Sequence, residues 1–152
     1  MKPKTKADVD GPTRAQRIIY TVVAVLALVG IAETTYLAAL HVAGVHAVCI
    51  TAANCSQVLG SKYAEFHGIP LAGVGALGYF AVFSFATLAA FNYRRAAGLL
   101  ALTVAVMFLG TLGLLYLQAF VLHAFCDYCL FSAALIFLLA GLIVATPPRR
   151  ES

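Results

Sequence analysis

The chain has 152 residues, of which 62% are hydrophobic and only 11% charged, with a mean hydropathy of +0.94. A soluble domain carries about 45–50% apolar residues, so this composition excludes one and marks an integral membrane protein. The net charge of +4 is a signal of membrane topology, with no bearing on nucleic acid, because the basic residues gather at the ends of apolar runs.

In chain order, a polar segment rich in Lys, Asp and Gly opens the chain, and residues 1–16 are expected to form a cytoplasmic, disordered tail. Four apolar runs follow, at 18–42, 69–91, 96–121 and 125–145, each near or above the ~20 residues that cross a bilayer as a helix. Runs this long without alternation must satisfy their backbone groups internally, which only helices do in lipid. The predicted architecture is therefore all-α, with one four-helix membrane domain over 17–146 and a loop over about 43–68. Pro147 and Pro148 stop the last helix before a short cytoplasmic tail, 147–152. No internal repeat is found.

Lys2, Lys4, Lys6, Arg14 and Arg17 precede the first run, Arg94 and Arg95 separate the second from the third, and Arg149 and Arg150 follow the fourth. Nine of the ten basic residues thus fall on one side, which by the positive-inside rule is the cytoplasm. Lys62 is the exception, offset by Glu65. The expected location is the cell membrane, multi-pass, with both termini cytoplasmic. The first run is too long for a signal-peptide core, and His46-Ala47-Val48 ahead of Cys49 lacks the small residue of a lipoprotein cleavage site.

This topology sends all four cysteines to the extracytoplasmic side, where disulfides persist. Cys49 and Cys55 form a C-x5-C pair in the first outer loop, and Cys126 and Cys129 form a C-x2-C pair at the start of the fourth helix. Cysteines three apart project from one helix face, beside unpaired N–H groups and the positive end of the dipole. Those conditions stabilise thiolate and make a cysteine reactive, although Asp127 opposes them. A C-x2-C bridge closes too small a loop to stabilise a fold much through chain entropy, and suits exchange better. A four-cysteine zinc site is disfavoured by the C-x5-C spacing, and His41, His46 and His67 show no metal-ligand spacing. A non-catalytic membrane scaffold with two structural disulfides is the alternative reading.

Between the loop cysteines and the second run, Leu59, Tyr63 and Phe66 fall at i, i+4 and i+7. This spacing predicts a short amphipathic helix lying as a lid over the mouth of the bundle. Gly68-Ile69-Pro70 is expected to start the second span, with proline in the first turn. Gly73, Gly75 and Gly78 read as positions of close helix packing. A lidded apolar bundle with a C-x2-C at its mouth shelters a lipid-soluble redox partner, for which a quinone is the natural chemistry. Gln118 and His123 approach the same mouth, and Phe120, Phe125 and Tyr128 are candidates to flank a quinone ring, although interfacial aromatics are common without ligands. Glu33 is an intramembrane carboxylate, read either as a proton relay or as a group satisfied in helix packing by Thr34 and Thr35.

The string Cys55-Ser56-Gln57-Val58-Leu59-Gly60-Ser61-Lys62-Tyr63-Ala64, then Gly68-Ile69-Pro70, then Cys126-Asp127-Tyr128-Cys129, resembles the bacterial vitamin K epoxide reductase family across almost the whole membrane portion. The resemblance implies a four-helix bundle around a quinone of menaquinone, ubiquinone or phylloquinone type. It also implies that Cys49 and Cys55 are a shuttle pair, that Cys55 links to Cys126, and that Cys129 lies next to the quinone. Ser61 matches the family's loop serine, or serves as a local cap. Animal members carry Thr-Tyr-Ala in the fourth helix where this chain has Ser132-Ala133-Ala134, which points to quinone rather than epoxide reduction. Many bacterial members fuse a thioredoxin-like domain to the bundle. This chain stops at Ser152, so the expected partner is a separate extracytoplasmic thioredoxin-fold protein. Disulfide-bond formation protein B, another quinone-linked four-helix oxidase, has its two cysteine pairs in the reverse order.

Overall fold

The computed structural model describes residues 14–43, 65–66, 69–91, 93–121, 123 and 127–146. Four helices dominate it: α1 (Arg14–Ala43), α2 (Leu71–Ala90), α3 (Arg94–Tyr116) and α4 (Asp127–Ala145). Each is long and apolar enough to cross a membrane. The expected spans are present, with ends displaced by a few residues.

The helices pack in a ring, α1 on α2, α2 on α3, α3 on α4 and α4 back on α1, with the α1–α2 seam the most extensive. That seam is antiparallel. Gly30 lies against Tyr79, and four residues later in α1 Thr34 lies against Gly75, four residues earlier in α2. Residues three or four apart on each helix supply the core: Tyr20, Val23 and Ala27; Tyr79, Val82, Ala86 and Ala89; Ala96, Leu100 and Val104; Leu135, Ile136 and Leu139. This is the stripe of an amphipathic helix, although here the opposite face is apolar as well. Leu77, Phe80, Leu102, Leu109 and Leu138 are among the large side chains left exposed. Lipid tails are as apolar as leucine, so nothing forces such residues inward, and small residues set the seams instead.

Side-chain hydroxyls are handled as a membrane requires. Thr21, Ser84, Thr87, Thr103 and Thr146 each donate to the carbonyl four residues earlier, at 2.7–2.9 Å. Arg94 and Arg95 open α3 and run against the helix dipole. Their place there is explained by a membrane boundary rather than by helix stability.

Two segments differ from the sequence-based expectation. Glu65–Phe66 (β1) is extended and pairs antiparallel with Ile69–Pro70 (β2), Phe66 opposite Ile69. The predicted lid helix therefore does not run through Phe66, and Pro70 precedes α2 instead of sitting in its first turn. The reason is local. Ile69 is pushed toward extended backbone by the proline after it, which favours a tight reversal over helix at this point. Leu59 and Tyr63 of that segment lie outside the described residues.

Beyond Tyr116, the chain widens into a π-turn, Leu117–Val121. It rotates the helix face, so that Gln118 is buried while Phe120 is 66% exposed. His123 then adopts a left-handed backbone with φ of 50°, a conformation in which histidine is enriched among non-glycine residues.

Candidate functional site

The start of α4 holds the one cysteine among the described residues. Asp127 opens the helix, where a carboxylate complements the dipole, and Cys129 follows in the first turn, half-buried. Tyr128, also half-buried, packs its ring against Tyr36 near the end of α1, centroids 6.3 Å apart and tilted by 50°. One turn further along α4, Ser132 shares a face with Cys129, since side chains three apart on a helix are neighbours about 5–6 Å apart at Cβ.

Ser132 is met from across the bundle. Tyr79, on α2, lies 2.8 Å from the Ser132 hydroxyl through its own and donates to the Ser132 carbonyl at 3.2 Å. Because α2 and α4 stand diagonally in the ring, this bond crosses the interior. The Tyr79 side chain is 1% exposed, and its ring occupies the space that a side chain at position 30 would fill. Gly30 is thus required by close approach, not by backbone conformation.

Glu33 completes the group. It is one turn beyond Gly30 on α1, both of its carboxylate oxygens are buried, and it is close enough to Tyr79 to act on it electrostatically. Thr34, expected to satisfy it, instead donates to the Gly30 carbonyl at 2.6 Å. Thr35 is exposed. Tyr79 and Ser132 therefore tie α2 to α4 one turn from Cys129, with the buried Glu33 carboxyl on α1.

Of the residues singled out from sequence, Cys129 and Tyr128 lie at this place. Phe120 does not share it: its ring pairs with exposed Tyr116 at 5.0 Å on the outer side of the π-turn. His123 is exposed. Cys49, Cys55, Ser61, Phe125 and Cys126 lie outside the described residues. Tyr79 and Gly30 had no sequence signature beyond their depth in an apolar run. For Tyr79, that depth is itself a clue, since a buried phenol needs a partner for its hydroxyl.

A family model described as the vitamin K epoxide reductase family matches residues 21–144. The chain belongs to the vitamin K epoxide reductase family. Membership makes the four-helix bundle the family's redox domain and the chain a membrane oxidoreductase. The family works generally with quinones. The groups around Cys129 fit such a molecule: hydroxyls at Tyr79 and Ser132 suit a carbonyl oxygen, and apolar helices suit the ring.

Proposed function

We propose that this family member oxidises an extracytoplasmic thioredoxin-fold protein and delivers the electrons to a membrane quinone, so supporting disulfide formation in exported proteins. The observation that carries the reading is Cys129, half-buried in the first turn of α4 and one turn from a hydroxyl pair enclosed by apolar helices. A thiol that served only as a structural staple would have no need of polar groups deeper in the bundle.

The reduced partner attacks the Cys49–Cys55 disulfide through a mixed disulfide with Cys49 and leaves oxidised. Cys55 then attacks Cys126 in the Cys126–Cys129 disulfide, which releases Cys129 as a thiolate. Completion of the exchange leaves Cys49–Cys55 oxidised and Cys126–Cys129 reduced. When bound, the quinone supplies a two-electron, two-proton sink that regenerates the second disulfide. Each exchange needs an accessible sulfur and a potential drained downhill. Cys129 lies half-buried in the first turn of α4, where backbone N–H groups left unpaired at a helix start are at hand. Ser61, Phe125 and Tyr128 are assigned to the quinone's surroundings together with Ser132, while Phe120 and His123 are assigned to the rim. The basic ends of α1 and α3 face the cytoplasm in this reading, and the cysteine end faces outward.

The test is trapping in lipid nanodiscs with a reduced thioredoxin-fold donor. A donor lacking its second, resolving cysteine is expected to accumulate a mixed disulfide with Cys49 of the wild-type protein, and Cys129→Ser, in which the Cys126 thiol meets the Cys49–Cys55 disulfide, a bridge between Cys55 and Cys126. Donor-dependent quinone reduction at the wild-type rate by any single-cysteine variant would falsify the relay.

A further inference from the structure

The buried polar group behind Cys129 is larger than a redox thiol requires. Tyr79 comes from α2, Ser132 from α4 and Glu33 from α1, and each lies within an apolar span. Placing such groups in hydrocarbon is costly, so intramembrane ionisable residues mark function more often than packing. Packing has nevertheless been arranged around this one. Gly30 removes the side chain that would strike the Tyr79 ring, so the phenol is fixed between the α1 backbone and Ser132 with little freedom to turn away.

The hydroxyl pair holds two protons, and the 2.8 Å bond between its oxygens uses one. The second is on offer to another acceptor, either the Ser132 carbonyl at 3.2 Å or the oxygen of a ligand lying between this pair and Cys129. The Ser132 hydroxyl, 2.8 Å from the phenol and one turn from Cys129, is the group placed to replace a proton that the phenol gives up.

Resting on the function proposed above, we infer that Tyr79 is the hydrogen-bond and proton donor to one quinone oxygen, with Ser132 and Gly30 fixing its direction. The protons balance without an outside source. Oxidation of the Cys126–Cys129 dithiol breaks two S–H bonds, forms one S–S bond and releases two electrons and two protons. Tyr79 passes one proton to the near quinone oxygen, a thiol proton restores the phenol by way of the Ser132 hydroxyl 2.8 Å away, and the second thiol proton goes to the far quinone oxygen. The products are the disulfide and the hydroquinone.

The protein has seven tyrosines and no tryptophan, so quenching of tyrosine fluorescence reports quinone binding directly. In nanodiscs with a short-chain quinone, Tyr79→Phe is expected to weaken binding about tenfold, the value of one buried hydrogen bond. The rate of exchange with the thioredoxin-fold donor in the absence of quinone should stay at the wild-type level. Ser132→Ala, a smaller change that keeps the phenol, is expected to weaken binding by about threefold to tenfold on the same grounds. Affinity within twofold of wild type in both Tyr79→Phe and Ser132→Ala overturns the inference while leaving the relay standing. A wild-type protein that binds no quinone overturns the relay, and this inference with it.

Discussion

The α1–α2 seam and helix α3 are built from similar residues and behave differently. In the seam, Gly30 admits the Tyr79 ring and Gly75 sits 3.4 Å from Thr34 at a substituted Cβ, so each glycine is a point of close approach. Along α3, Gly98, Gly110 and Gly113 have open space around them, and Leu99, Leu102, Val106 and Leu109 are exposed. The seam also encloses Glu33 and Tyr79, whereas on the α3 side the buried polar side chain is Gln118, in the π-turn that follows the helix. In lipid, hydrophobicity cannot decide which face turns inward, so close packing and polar partners do.

Substitutions test that contrast at graded cost. Leu100→Ala, from a side chain with 0% exposure, should destabilise the bundle most, by about 2–3 kcal/mol, since the cavity term survives in lipid even where the transfer term does not. Gly30→Ala should cost about 1–3 kcal/mol, because the Tyr79 ring is hydrogen-bonded and cannot yield freely. Gly98→Ala, with nothing nearby to strike, should be neutral or stabilising by up to about 1 kcal/mol. Leu102→Ala, on the exposed face of α3, should fall within about 0.5 kcal/mol of wild type. Reversible unfolding in mixed micelles measures all four. Equal costs at Gly30 and Gly98 would erase the distinction between seam and lipid face.

The same contrast explains what could be read from the residues. Four spans were legible because length and unbroken apolarity suffice for a transmembrane helix, and the cysteine spacing pointed to the family that the chain belongs to. The inward faces were less legible. Gly75 and Gly78 do pack closely, the latter against Met107, but Gly30, the tightest point, stood in no motif. The π-turn, which no apolar pattern announces, turns Phe120 outward and Gln118 inward. At Phe66 the i, i+4, i+7 spacing is overridden by the extended bias that Pro70 imposes on Ile69, its strand partner. Tyr79 was invisible because its meaning depends on Ser132, 53 residues away.

The central claim is that electrons leave the protein through Cys129 into a quinone. Its most direct measurement is quinone reduction by the purified protein in nanodiscs, driven by a reduced thioredoxin-fold donor and compared with Cys129→Ala. The account predicts steady reduction by the wild type, and loss of it in a folded variant whose Cys49–Cys55 pair still exchanges with the donor. Quinone reduction that persists in Cys129→Ala would contradict it.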